Sequence, residues 1–491
     1  MATSKKYDVV VFGASGFTGQ FVVEELGRVT SEEERGLTWA VAGRNQDKLN
    51  QVLEKASATI GVDLKDAVDV LLADIENEES LNDMAAQAQV VLNCVGPYRF
   101  FGEPVVKACL KNKAHHIDIS GEPQFLETMQ FKYDEEAKKK GVYIVQSCGF
   151  DSVPADLGVL YTVKNFPGRI NTIESYLTLN AGPEGAVGHY ATWQSAIHGL
   201  ANAEELRNLR KEMGTKKPLP KSGPKLENRG PAHWSEMLQK WCVPFPGADA
   251  SVVRRTQRFL YNNGENCPVQ YGAFASIPDR IDLFKWQAAS KVVTSLADTE
   301  FGLGLLEEVQ FGAYACVSAF RYLVLLMVVG VVFGVMTKFS WGRWLLSKYP
   351  RLFSLGYFSH EGPTQKQIEG ASFNMQFIGT GYSNTVLEDG DYDGPPNMTI
   401  ATQVEGPEAG YVTTPIVMVQ AAITLLKEMK KFPAKGGVMT PGTAYKDTSL
   451  VERLSDRAQE NRAKGSKTAT EGRMEKLDMD NTVHNLKFAG I

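Results

Sequence analysis

The strand-like run Val9-Val10-Val11-Phe12 leads straight into Gly13-Ala14-Ser15-Gly16-Phe17-Thr18-Gly19, and a helix-forming pattern follows. Glycine accepts turn dihedrals that side chains resist and lets backbone N–H groups come close to a ligand. The helix start adds the positive end of its dipole, which favours an anion. The spacing GxxGxxG is a looser form of the dinucleotide-binding GxGxxG turn. Gly13, Ser15, Gly16, Phe17, Thr18 and Gly19 are therefore predicted to cradle a pyrophosphate.

The surrounding pattern supports such a turn. Apolar runs at Asp8–Phe12, Thr38–Ala42, Val68–Leu72, Val90–Cys94, His115–Ile119 and Val142–Gln146 alternate with amphipathic stretches such as Phe21–Val29, Lys48–Ile60 and Gln124–Lys139. Val- and Ile-rich strands separated by helices indicate α/β architecture, a doubly wound parallel sheet covered on both faces. The second strand ends in Arg44, where an Asp or Glu would suit the two ribose hydroxyls of NAD; a planar cation suits a 2′-phosphate, so NADP is predicted over NAD. Asp74, after the third strand, either contacts adenine or caps the next helix. Gly96, after the fourth, is expected to flank the nicotinamide, because ligands of such sheets sit at the carboxyl ends of the strands.

Beyond about residue 160 the character changes. Strand patterns at Ile173–Asn180, Phe373–Thr380 and Met398–Glu405 surround a helical stretch at Thr192–Met213, and Thr413–Lys431 is again helical. A chain of 491 residues has room for about three domains of ~150 residues. Six cysteines without a CxxC pair, and His115-His116 without a third ligand, predict neither a disulfide scaffold nor a metal site. With 57 acidic against 52 basic residues there is no basic field for nucleic acid, and the Lys216–Lys225 segment lacks interleaved aromatics. The chain opens on Met1-Ala2-Thr3-Ser4-Lys5-Lys6 with no apolar leader pattern, so a cytosol-facing and not a secreted protein is expected.

At Cys148-Gly149-Phe150-Asp151-Ser152-Val153-Pro154-Ala155-Asp156 the sequence resembles the saccharopine dehydrogenase-like oxidoreductase family. Gly13–Gly19, Ala42–Arg44, Cys94–Tyr98, Phe245–Thr256 and Glu405-Gly406-Pro407-Glu408-Ala409-Gly410-Tyr411 carry the same resemblance, which spans roughly residues 7–455. It implies a Rossmann NADP-binding domain at residues 1–160, an inserted α/β second domain at 161–405 for substrate or dimerisation, and a return to the first domain at 406–455. It also implies kinship with bacterial trans-acting enoyl reductases of lipid intermediates. Residues 456–491 have no counterpart and are expected to be irregular.

Two side chains are candidates for catalysis. Tyr98, at the fourth strand's end, could donate a proton or position substrate, the plainer reading being a packing tyrosine; Cys148 resembles the family's active-site cysteine, the plainer reading being a small buried residue. His189 and His198 read as exposed or core residues of the second domain. A substrate with several carboxylates calls for clustered arginines, and the second domain offers only the pair Arg254-Arg255, so a more apolar substrate is expected. Residues 311–337 form an apolar segment interrupted by Arg321, and a basic, aromatic stretch follows to Arg351. That mix suits a headgroup interface. An in-plane or hairpin anchor, a true span, and a buried or dimer-interface helix containing Gly330 and Gly334 all remain open. The resulting expectation is an NADP-dependent oxidoreductase of a lipid-related substrate at a lipid-droplet or intracellular membrane surface. The alternatives are a soluble imine reductase of amino-acid metabolism and an inactive nucleotide-binding scaffold.

Overall fold

The computed structural model describes residues 5–214, 218–221, 223–265, 268–276, 332–354, 356–383, 395–463 and 483–487. Its first domain is a seven-stranded sheet in which every pairing is parallel. The strands are β1 (Tyr7–Phe12), β2 (Trp39–Gly43), β3 (Asp69–Leu72), β4 (Ala88–Asn93), β5 (His115–Asp118), β6 (Tyr143–Val145) and, from far downstream, β15 (Gly437–Met439). Their spatial order, β15-β6-β5-β4-β1-β2-β3, reverses direction of growth between β1 and β4, the switch point where doubly wound sheets bind ligands.

Helices α1 (Phe17–Glu32), α2 (Gln46–Ile60), α3 (Glu78–Gln87), α4 (Tyr98–Asn112) and α5 (Pro123–Lys140) connect these strands. Val9 and Val11 face the core beneath α1 and α2, while Val10 and Phe12 face α3 and α4. Burial on both faces explains why β1 is continuously apolar instead of alternating. Local signals set the helix ends: Asn45 accepts the Lys48 N–H (2.9 Å) to start α2, and Gly61 ends it at φ 73°.

Helix α6 (Val153–Asn165) leads into a second, mixed sheet of order β16-β14-β13-β7-β11-β10-β9. Its strands are β7 (Arg169–Asn180), β9 (His233–Ser235), β10 (Lys240–Pro244), β11 (Gln270–Ser276), β13 (Ser372–Tyr382), β14 (Met398–Pro407) and β16 (Val483–Lys487). Gly158 lets α6 lie flat on this sheet, since a Cβ there would stand 2.3 Å from the Phe377 ring. The strands expected at 173–180, 373–380 and 398–405 are all present and longer. The stretch Thr192–Met213 is two helices, α7 (Tyr190–Ala201) and α8 (Ala203–Glu212), parted at Asn202. The domain is completed by α9 (Asp249–Asn262), α10 (Ser340–Lys348), which packs on α7, α11 (Pro350–Phe353), α12 (Gln365–Gly370) and a small ribbon of β8 (Gly188–His189) with β12 (Phe358–Ser359).

After β14 the chain rejoins the first domain through α13 (Thr414–Glu428), α14 (Pro441–Tyr445) and α15 (Leu450–Ala463). Ala409–Lys431 is long and apolar enough to cross a bilayer, but Val417, Val419, Ile423 and Leu425 are wholly buried, so it is a core helix. The apolar segment expected at 311–337 lies outside the described residues up to 331; residues 332–338 are helical. The region 456–491, expected to be irregular, supplies the end of α15 and the edge strand β16, which pairs in parallel with β14. Strand pairing is a long-range choice that composition does not report, which is why the polar tail concealed it.

Candidate active site

The three glycines of the first turn have three separate uses. Gly13 holds φ +81°, and a Cβ there would lie 2.6 Å from Val95 Cγ2. Gly19 lets α1 approach the loop, since its Cβ would be 2.2 Å from the Gly13 carbonyl oxygen. Gly16 is exposed and caps α1, and the nearest atom to a Cβ there is the Gly13 oxygen at 3.0 Å. That opening, above a helix whose first turn holds no acidic residue, is a cradle shaped for an anion. Ser15, Phe17 and Thr18 are half-buried around it.

The other predicted binding residues stand along the same edge. Arg44, at the end of β2, is exposed and has no ion-pair partner among the described residues. Asp74 follows β3; its Oδ1 accepts the Glu76 N–H (3.1 Å), while Asn77 caps α3, so Asp74 shapes the turn and is not the helix cap. Gly96 lies exposed in the turn after β4, where Asn93 Oδ1 accepts the Val95 N–H (3.1 Å). Gly13–Gly19, Arg44, Asp74 and Gly96 thus line the carboxyl ends of β1 to β4, and this set fits a phosphorylated dinucleotide.

Tyr98 and Cys148, expected from sequence to be catalytic, are both placed inside the fold. The Tyr98 hydroxyl donates to the Asn93 carbonyl (2.7 Å), and the side chain is 6% exposed. Cys148 is wholly buried, with its thiol directed at the carbonyls of Val145 (3.8 Å) and Gln146 (3.9 Å). Burial pushes its ionisation well above the ordinary thiol range.

The second domain brings other groups to the cradle. His189 stacks on Phe17 at 4.4 Å and 8°, and the Tyr411 ring meets Phe17 edge-on at 4.9 Å. The His189 backbone N–H donates to the Tyr411 hydroxyl (2.9 Å), whose own proton has no acceptor among the described residues. Tyr411 sits in a π-helical turn, Ala409–Thr413, a geometry frequent at functional sites. The Glu408 carboxylate holds this turn by accepting the N–H groups of Gly410 (2.9 Å) and Tyr411 (2.5 Å). Burial raises the Tyr411 ionisation, so the phenol stays protonated. Reading the chain locally missed this trio because Phe17, His189 and Tyr411 lie far apart in sequence. Phe17 was read only as part of the glycine turn and Tyr411 only as the end of the family-like Glu405–Tyr411 motif.

Behind the cradle, burial pushes the Asp118 carboxyl up to about 7, although the N–H groups of Ser120 (3.0 Å) and Ser147 (3.1 Å) bond its Oδ1. Arg255 and Glu122 act on it electrostatically, and neighbouring His116 is pushed down to about 3 by burial and stays neutral. Between the ordinary carboxyl range and about 7, the folded state holds a proton the unfolded chain has lost. Stability from this group therefore falls as pH rises through that window. Asp118→Asn should remove a slope approaching about 1.4 kcal/mol per pH unit. Urea midpoints of parent and variant at several pH values check this; parallel curves refute it.

Comparison with known proteins agrees with this geometry. Residues 9–145 match the family described as "Saccharopine dehydrogenase NADP binding domain". The chain is 49% identical over 459 residues to the human "Saccharopine dehydrogenase-like oxidoreductase", covering 93% of this chain and 97% of that protein. It is 39% identical to an Arabidopsis thaliana saccharopine dehydrogenase-like oxidoreductase whose name assigns it to mitochondria, covering 92% of this chain and 94% of the relative. It is 37% identical to the Caenorhabditis elegans "Lipid droplet localized protein", covering 92% and 96%. An anion cradle at the head of a parallel sheet, and likeness along nearly the whole length, lead to one conclusion: the chain belongs to the saccharopine dehydrogenase-like oxidoreductase family.

Proposed function

We propose that this oxidoreductase uses NADP in preference to NAD and acts on an apolar, lipid-related substrate at a membrane or lipid-droplet surface. The observation that carries the cofactor reading is the glycine cradle with the unpaired Arg44 beside it. When bound, the nicotinamide exchanges a hydride with the substrate. The chain's own groups do the rest. Gly13–Gly19 bind the pyrophosphate, Arg44 the 2′-phosphate, Asp74 borders the adenine side, and Gly96 flanks the nicotinamide half. Tyr411 holds a proton at its Oη, beside Phe17, for the substrate atom that needs one.

The arginines of the second domain support an apolar substrate. Arg210 makes two bonds to Glu127 (2.8 and 2.6 Å), and Arg229 two to Glu174 (3.0 and 2.9 Å). Arg255 is committed to Gln130 (3.0 Å) and Gln146 (3.2 Å), so the pair expected to greet carboxylates is half spent. The lipid-droplet name of the nematode relative supports the surface, and the mitochondrial name of the plant relative is compatible with an intracellular membrane.

Arg44→Asp should weaken NADPH binding roughly 10–100-fold, the scale of one lost charge-assisted bond, and leave NADH binding equal or tighter, since an acid there suits the ribose hydroxyls. Reduced-nicotinamide fluorescence reads both, and equal losses for the two cofactors refute the assignment. The substrate class is tested by offering the protein and NADPH a total lipid extract and, separately, a water-soluble metabolite extract. Cofactor oxidation with the lipid extract alone is expected. Turnover only with the aqueous extract favours the imine-reductase alternative, and turnover with neither favours a scaffold.

A further inference from the structure

In a chain with 57 acidic and 52 basic residues, the stretch 332–357 contains no Asp or Glu and four cations, Lys338, Arg343, Lys348 and Arg351. It also holds nearly half of the large apolar side chains exposed among the described residues. Trp341, Trp344 and Leu352 are 58%, 56% and 65% exposed, well beyond ordinary scattered surface hydrophobics.

The layout is ordered. Gly342 makes a tight corner with the preceding helical turn, since a Cβ there would stand 2.2 Å from the Met336 carbonyl. Helix α10 buries Leu346 against Trp193 and Ile197 and turns Trp341, Trp344 and Lys348 outward, at helical spacing on one face. Lys348 Nζ lies 4.6 Å over the Trp344 ring, and Phe339 stacks near Trp341 at 6.0 Å. Ring bodies lying among ammonium and guanidinium groups match the headgroup zone of a phospholipid layer.

This ledge is fastened to the candidate active site. The Trp193 indole N–H donates to the Leu346 carbonyl (2.9 Å), joining α10 to α7. The same end of α7, one turn before Trp193, is capped by His189, the residue stacked on Phe17. From its middle, Ser195 donates to Glu122 (3.1 Å), whose carboxylate also accepts the N–H groups of Tyr98 (2.9 Å) and Arg99 (3.1 Å) at the start of α4.

We infer that residues 332–357 dock the protein on an anionic phospholipid surface, and that α7 holds the cofactor end of the sheet in a fixed position over that surface. A second copy of the chain fits the ledge poorly, because a twofold contact would set Lys338, Arg343 and Lys348 against their own images, while Arg351 is already paired with Glu361 (3.2 Å). The inference rests on the lipid-surface reading above but narrows it to named side chains and to anionic headgroups.

The test is co-sedimentation of the full-length protein with phosphatidylcholine vesicles, with or without phosphatidylserine, for the parent and two surface variants. The parent should bind the phosphatidylserine vesicles at least about tenfold more strongly, less so in high salt. A Lys338→Glu, Lys348→Glu, Arg351→Glu variant should lose that preference, and a Trp341→Ser, Trp344→Ser variant should bind neither vesicle well. Both should keep parental NADPH binding, which reports that they are folded. If both variants bind vesicles as the parent does, the ledge assignment is overturned while the lipid-surface reading stands. If the parent binds no vesicle, both fall. If the parent ignores vesicles and sediments as a dimer that the Trp variant dissociates, the occupant is a second copy and the inference is overturned.

Discussion

Gly16→Val should leave the protein folded, at a smaller stability cost than Gly19→Val, and weaken NADPH binding by about 100-fold or more, the scale of two lost charge-assisted hydrogen bonds. The position is exposed, its backbone is in the extended region at φ −71°, and a Cβ there meets only the Gly13 oxygen at 3.0 Å. The branched side chain therefore fits only if the Gly13 carbonyl gives by a few tenths of an ångström, and it fills the space proposed for the pyrophosphate. Gly19→Val serves as the contrasting control. Its Cβ would lie 2.2 Å from a backbone oxygen, so the loop itself must move and thermal stability should fall as well. Fluorescence titration with parallel thermal melts separates the two behaviours. Undiminished binding by a folded Gly16→Val protein sinks the cradle.

Tyr411→Phe is expected to lower turnover about 100-fold, within the usual reach of a lost general acid, with NADPH affinity almost unchanged. The substitution keeps the edge-on ring contact with Phe17 at 4.9 Å and removes only the hydroxyl and its acceptance of the His189 N–H. Because burial raises the ionisation of this phenol, the parental rate should show no alkaline loss from Tyr411 through the neutral range. The measurement is NADPH oxidation with the active extract, alongside cofactor binding. A kcat equal to the parent's assigns the proton to another group. Loss of NADPH binding in equal measure makes Tyr411 a cofactor-pocket residue only.

The first domain was legible because its information is local. β1 announces itself by Val9-Val10-Val11 buried on both faces, α2 by the Asn45 cap, and the anion cradle by glycines whose three uses depend on near neighbours. Six strands of the first sheet were found within about two residues, a margin ordinary for element ends. The seventh, β15, was not, since three residues such as Gly437–Met439 carry no period and are strand only because β6 offers them an edge. The residues proposed for the cofactor follow the same rule, since Arg44 is read from its distance past the turn.

The cluster of Phe17, His189 and Tyr411 was not legible, for a physical reason. Phe17, His189 and Tyr411 meet only because α7 and the π-helical turn fold back from the second domain, and nothing in the local sequence of any of them records that meeting. Tyr98 and Cys148 illustrate the converse. Each stands at the right strand end in sequence, but which way a side chain points at that end is decided by packing: one phenol satisfied by a carbonyl, one thiol sealed in the core.

The most direct measurement is a fluorescence titration of the full-length parent with NADPH and with NADH under identical salt. Saturable binding of both, with NADPH at least about tenfold tighter and that margin lost in Arg44→Asp, is predicted from one additional charge-assisted bond. Equal affinities, or no saturable binding of either, would be incompatible with an NADP-dependent oxidoreductase built on this cradle.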